Sequence, residues 1–170
     1  MEYKLKEILP KDAEAENVFN KIGKQWMLIT AKNGEEVNTM TASWGTLGIL
    51  WGKPVAICYV RPQRHTFHIV ESSDKLSLSF LSEKYRDALK ICGTVSGRDT
   101  DKFKASGITL AEYEETPYIA ESDSVLICKK LYADFLKEEL FTSDEPLLHY
   151  EQKDFHKFYI CEIEKILIKE

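Results

Sequence analysis

The chain is short of the features that would declare a chemistry outright. Its four cysteines, Cys58, Cys92, Cys128 and Cys161, each lie more than 30 residues from the next, with no C-x-x-C pair and no Cys/His cluster at zinc spacing. This argues against a structural metal, and no metal site is expected. Cys58, Cys128 and Cys161 sit in the apolar runs VAICYV, VLICKK and FYICEI, the pattern of small buried hydrophobes in a reducing compartment. No run of about 18 apolar residues occurs and the first 19 residues hold no apolar core, so neither a membrane span nor a secretory signal is expected, and the location expected is cytoplasmic. The 23 Lys and Arg are scattered among 28 Asp and Glu, for a net charge of -5. A nucleic-acid partner needs a concentrated basic stripe, which is missing. Missing too are G-x-G-x-x-G and G-x-x-x-x-G-K-[ST], which disfavours Rossmann and P-loop nucleotide binding.

What is present can build one proper core. Of 170 residues 44% are hydrophobic, and the eight glycines and five prolines punctuate the chain without forming a linker, so a single domain over residues 1–170 is expected. A first helix is predicted over Asp12 to Ile22, stopped by Gly23. Gln25 to Ala31 reads as a strand, Lys32 to Glu35 as a turn centred on Asn33-Gly34, and Glu36 to Trp44 as the returning strand. GTLGILWGK reads as a glycine-rich loop, and Pro54 to Val60 as a strand buried on both faces. Gln63 to Ser72 is expected to be a short helix. Lys75 to Leu81 alternates strictly, with Leu76, Leu78 and Phe80 on one face and Ser77, Ser79 and Leu81 on the other. Tyr85 to Ile91 and Thr100 to Ala105 are short helix candidates, and Ile108 to Tyr113 is a strand candidate. Thr142 to Gln152 is a helix or a capping loop. Ser124 to Leu140 and Phe155 to Ile168 are long for strands, which suits the bent strands of a small barrel. Many strands with few helices predict a mainly β fold, an antiparallel β-barrel with peripheral helices.

Three phrases carry the chemistry: NTMTASWG at 38–45, RPQRHT at 61–66 and ICGTVSGRDTDKF at 91–103. They crowd small residues, hydroxyls, amides and arginines at strand ends and turns, where many donors can face one flat, phosphorylated ligand. Small side chains at Thr41, Ala42 and Ser43 let backbone N–H groups approach a ring edge, although an ordinary strand end has the same composition. Trp44 can wall a ring or anchor a core or interface. Arg61 and Arg64 flank a predicted helix start, where free N–H groups and the helix dipole attract phosphate. Arginine adds charge-assisted bonds. A solvated pair of surface arginines is the plainer reading. Ser96-Gly97-Arg98-Asp99 reads as a tight turn, with Asp99 a candidate cap for the helix carrying Lys102, and Arg98 open to pairing with Asp99 or Asp101. Cys92 has no base nearby in sequence and is read as structural. His65 and His68 read as surface or core histidines, and His156, at the start of the last strand, is either structural or on the substrate side.

In this order and spacing the phrases resemble the flavin reductase-like family with the FMN-binding split barrel, most closely its flavoredoxin-type branch, over about Phe19 to Ile168. The resemblance implies an FMN site drawing on Asn38, Met40, Thr41, Ala42, Ser43, Trp44, Arg61, Arg64, Thr66, Ser96, Gly97 and Lys102, with His156 facing the open side of the ring. It implies an oxidoreductase that takes hydride from NADH or NADPH and passes it to free flavin, another acceptor or a redox partner protein. The alternative is a flavoredoxin-like electron carrier without its own NAD(P)H activity. A homodimer is also implied, and the apolar segment Thr46 to Trp51 suits burial in it. Cys161 stands before Glu162 where the family frequently has glycine.

Overall fold

Among the described residues ten strands carry the fold: β1 (Leu5–Ile8), β2 (Met27–Asn33), β3 (Glu36–Ala42), β4 (Gly45–Leu50), β5 (Lys53–Val60), β6 (Lys75–Phe80), β7 (Leu110–Tyr113), β8 (Thr116–Ile119), β9 (Ser124–Phe135) and β10 (Lys157–Lys169). The structure is a computed structural model, and it describes residues 5–8 and 17–170. The main sheet runs β3-β2-β6-β9-β10-β5-β4, and β1 adds to β10. All its pairings are antiparallel. β10 shows why its apolar stretch is so long. Its first half, Lys157 to Glu162, pairs with β5 and its last residues pair with β1, while β9 follows its other side. Register shifts between Ile160/Cys161 and Ile163/Lys165 bend it, as bulges do. The outermost strands of this curled sheet, β3 and β4, are joined by Ser43 and Trp44 alone, yet do not pair with each other. The barrel is therefore split at that point, and the mainly β antiparallel expectation holds.

Met27, Ile29, Leu76, Leu78, Phe80 and Tyr159 fill the interior. A second cluster outside the sheet packs Leu28 and Leu81 against Ala88, Leu89 and Cys92 of helix α3 (Arg86–Thr94). The alternation in β6 marks its faces correctly, but both are covered. Ser77 Oγ donates to Pro117 O (2.6 Å) and Ser79 Oγ accepts from Ile119 N–H (3.2 Å), so the β7–β8 hairpin satisfies the hydroxyls on the second face. All four cysteines are buried and free. Cys161 sits in the barrel wall at a register shift, beside Cys58 and Cys128.

Several elements differ from the sequence reading. GTLGILWGK is no loop: it forms β4, the turn Trp51-Gly52 and the start of β5. Alternating exposure along an edge strand hides its pattern, and Ile49 (73%) and Trp51 (58%) are exposed. Asn33 pairs with Glu36, so the β2–β3 loop is Gly34-Glu35, with Gly34 at φ 60°, the first loop position that favours glycine. β8 escapes notice because its turn uses Glu114 and Glu115 at φ 44° and 66°, where asparagine or glycine is the usual signal. The first helix, α1, is one α turn (Val18–Asn20) passing into a π turn (Lys21–Gln25), and residues 12–16 of the predicted span lie outside the described residues. Helix α2 spans His65–Ser72, and α3 runs past Ile91 to Thr94. Helix α4 (Lys102–Ser106) is capped by Asp101, not Asp99. β9 stops at Phe135, and the chain beyond it forms short 3-10 turns at Glu138–Leu140 and Glu145–His149. Among the described residues no helix is long and apolar enough to cross a membrane.

Candidate functional site

The split in the barrel opens onto two hollows joined at two arginines. The first is a cleft of about 160 Å³ lined by Met40 to Trp44, Tyr59, Arg61, Arg64 and His156. The second, about 360 Å³, lies between the start of α2 and the segment after α3, lined by Arg61, Gln63 to Thr66, Thr94 to Gly97 and Lys102. Arg61 and Arg64 belong to both.

Among the described residues three cations line the second hollow and no carboxylate does, in a chain with five more acidic than basic residues. The first turn of α2 faces it with Arg64 at the N-cap and no side-chain cap, so its leading N–H groups are available to an anion. Arg64 Nη1 donates to Gly93 O (2.9 Å), which fixes a guanidinium that lines both hollows. Lys102 is buried, with Nζ donating to Thr39 O (2.9 Å) and Cys92 O (2.8 Å). An ammonium has three N–H groups, so one is left over. Burial holds the Lys102 pKa below its ordinary value, and the Arg64 charge adds to that lowering. A bound anion would relieve both effects.

Gly97 answers to a close approach. A Cβ there would lie 2.5–2.8 Å from the Asn38 amide. Asn38 itself lines neither hollow. It is buried behind the second, donating from Nδ2 to Thr66 Oγ1 (3.0 Å), and so holds a lining hydroxyl in place. The other residues of the implied FMN site, and His156, each lie on one hollow or both, whereas Cys92, Arg98 and Asp99 line neither. Arg61 is already engaged: it forms an ion pair with Asp154 and donates to His149 O (3.0 Å), tying the segment before β10 to the site. Arg98 makes no ion pair among the described residues. Its backbone N–H meets Ser96 Oγ at 3.2 Å.

The first hollow is aromatic on its open side. The Trp44 ring lies 5.1 Å from that of His156, and Tyr59 meets His156 edge-on at 6.3 Å. Burial, reinforced by the Arg61 charge, pushes the His156 pKa down to about 4, so the imidazole is neutral at ordinary pH. Thr41 Oγ1 donates to Leu89 O, anchoring the strand end to α3. Sequence reasoning missed Tyr59, Gln63, Thr94 and Val95 on the lining. Tyr59 follows Cys58 in a run read as wholly buried, and its polar ring was the only available cue. Tyr150, bonded to His156 Nδ1 through its hydroxyl (2.8 Å), carries no local signal at all.

A flat ring with a phosphorylated tail fits this arrangement. An aromatic cleft leads through two arginines into a carboxylate-free, donor-rich hollow, and among the described residues no group of His, Cys, Asp and Glu is placed to hold a metal ion. The flavin reductase like domain model matches residues 19–170, and the chain belongs to that family. No curated protein matches in sequence. Similar solved structures include an FMN-binding domain of a flavin reductase-like enzyme from Shewanella baltica, at 16% identity and TM-score 0.71, covering 99% of this chain and 78% of the other. A flavoredoxin of Desulfovibrio vulgaris aligns at 18% identity and TM-score 0.67, over 94% and 77% of the two chains. An NADH:FAD oxidoreductase of Streptomyces globisporus, in complex with NAD and FAD fragments, aligns at 17% identity and TM-score 0.65, over 86% and 77%.

Proposed function

We propose that this member of the flavin reductase-like family binds FMN and works as an NAD(P)H-dependent oxidoreductase. The observation that carries the reading is the cation-lined hollow without a carboxylate, opening into the aromatic cleft at the barrel split. Arg64, Thr66, Ser96 and Lys102 would hold the phosphate, with Asn38 and Gly97 setting the wall. The backbone of Thr41 to Trp44 would border the ring. Bound there, the isoalloxazine supplies the chemistry of accepting hydride and passing electrons on. The protein orients it, excludes water from one face, and leaves the His156 side open to a second molecule. The sequence holds no G-x-G-x-x-G loop, so NADH or NADPH would lie loosely over the ring, against His156 and the segment 142–149, with a KM toward the upper end of the range of about 1 μM to 1 mM. Final acceptors in this reading are free flavin, a small molecule or a partner protein. We also place the chain in a homodimer, because the β4–β5 hairpin exposes Ile49 and Trp51 together. Sedimentation near the mass of one 19.6 kDa chain at micromolar concentration would contradict that.

Anaerobic mixing of the FMN-loaded protein with NADH or NADPH tests the enzyme reading. Bleaching within seconds is expected, slowed in His156→Ala with FMN still bound. The likeness to a flavoredoxin supports the second reading, a flavoredoxin-like carrier. Failure of both nucleotides at millimolar concentration, with dithionite still reducing the flavin, would select it.

A further inference from the structure

Residues 136–155 connect β9 to β10 as a strap whose two ends are neighbours. Phe135 pairs with Lys157, and Leu136 N–H donates to His156 O at 2.9 Å. Inside the strap Tyr150 stacks on Phe155 at 4.8 Å, Phe141 packs against both rings, and Lys153 pairs with Glu138. Shifting one ring of such a knot unpacks the others, so the strap behaves as one piece. Leu136, Phe141, Pro146, His149 and Tyr150 wall a groove of about 1000 Å³ that shares Ser43, Trp44 and Tyr59 with the aromatic cleft. Where the strap sits therefore decides how open the cleft is to a second molecule.

Two side chains after the end of β5 fasten it. Arg61 pairs with Asp154, donates from Nη2 to His149 O (3.0 Å), and holds its Cζ 5.3 Å from the centre of the Tyr150 ring. Gln63 Nε2 donates at 2.6 Å to Asp154 Oδ2, the same oxygen that accepts from Arg61 Nη1. Arg61 and Gln63 both line the cation-lined hollow, whereas Asp154 lines neither hollow. One carboxylate oxygen thus gathers two lining side chains from behind. The Arg61 bond holds the Asp154 carboxyl below the ordinary carboxylate range, so the pair stays ionised. A guanidinium has five N–H donors. The bonds to Asp154 and His149 O use two of them, so Arg61 can hold the strap and a phosphate oxygen at once.

We infer that Asp154 is a positioning residue for the phosphate subsite, and that Arg61 couples occupation of that subsite to closure of the strap. Asp154 orders two long side chains before a ligand arrives, which lowers the entropy cost of binding. A phosphate in the hollow in turn immobilises Arg61, and with it His149, Tyr150 and Asp154. By linkage these are one coupling, equal in both directions. The inference rests on the reading of the cation-lined hollow as the place of the FMN phosphate.

The sign of one substitution separates a positioning carboxylate from a bystander. A bystander this close to the hollow only repels a phosphate dianion, so Asp154→Asn would tighten FMN. A positioning residue predicts the reverse, because asparagine keeps the shape but loses the charge-assisted bond: FMN should weaken roughly 3- to 10-fold, with riboflavin unchanged. Hydrogen exchange read by mass spectrometry follows the strap itself. In wild type, amides of 137–153 should exchange roughly 5-fold more slowly with FMN bound than with riboflavin bound, the low end of couplings between sites. Inorganic phosphate alone should slow them too, and in Asp154→Asn the difference between the flavins should largely vanish. Unchanged or tighter FMN binding by Asp154→Asn, an equal loss for riboflavin, or a wild-type strap that exchanges alike with FMN, riboflavin and inorganic phosphate would each overturn the coupling. A firm preference for FMN over riboflavin with an indifferent strap would do so while leaving the FMN reading in place. If wild type does not prefer FMN, yet inorganic phosphate slows the strap and fails to do so in Asp154→Asn, the coupling stands and the FMN reading falls.

Discussion

Replacing Arg64 with alanine removes a guanidinium that lines both hollows and is held by a single side-chain bond. Its Nη1 bond to Gly93 O holds the head where it lines both hollows. A charged hydrogen bond to a phosphate of this kind is worth about 1.5–3 kcal/mol, so FMN affinity should fall roughly 10- to 150-fold. The loss has a second source to separate, because Gly93 O is left without its donor and the end of α3 can shift. Riboflavin distinguishes the two. It has the same ring and no phosphate, so a local distortion would weaken both ligands while a lost phosphate contact weakens FMN alone. Quenching of flavin fluorescence on titration with flavin-free protein measures both constants, and Arg64→Lys should recover part of the FMN loss but not all, lacking the planar fork. Equal FMN affinities for wild type and Arg64→Ala would refute the assignment, as would a matching loss for riboflavin.

Gly97→Ala drives a Cβ to 2.5 Å from the Asn38 side chain. Overpacking against a buried amide should cost about 1–3 kcal/mol in urea unfolding and weaken FMN by disturbing Thr66. Lys102→Met strips donors from Thr39 O and Cys92 O but removes a buried charge, so unfolding free energy should move by less than about 2 kcal/mol, whereas FMN should weaken at least about 10-fold. His156 titrates near 4 when folded against an ordinary 6.5, so the unfolded chain takes up its proton first as pH falls. Its contribution to stability is full above about pH 6.5 and is lost between there and pH 4. With screening at the open side it is on the order of 1 kcal/mol, and His156→Phe should flatten that part of the stability profile.

The fold was legible where a pattern had one physical cause. Continuous apolar runs at PVAICYV and FYICEI became strands inside the sheet, but with one face buried and the other only half-covered rather than both buried, and the alternation of β6 marked its faces even though serine turned out buried, its hydroxyls satisfied by the β7–β8 hairpin. The edge strand β4 was unreadable because solvent takes one side of it and glycines replace the pattern. Glu114-Glu115 hid a turn, since positive φ at glutamate leaves no compositional trace. At the site, residues of the contiguous phrases converged because a strand end, a helix start and a turn meet at the split. Asn38 matched the phrase yet stands one layer behind it. Tyr150 and Asp154 lie far from the phrases in sequence and reach the site only through the fold, by a bond to His156 and an ion pair with Arg61.

The most direct test of the FMN site is to titrate flavin-free wild-type protein with FMN and with riboflavin at the same ionic strength. Arg64, Thr66, Ser96 and Lys102 around a carboxylate-free hollow predict one FMN per chain, held at least about 10-fold more tightly than riboflavin, with a preference that shrinks as salt screens the charges. Binding of both flavins with equal affinity, or of neither, would contradict the account.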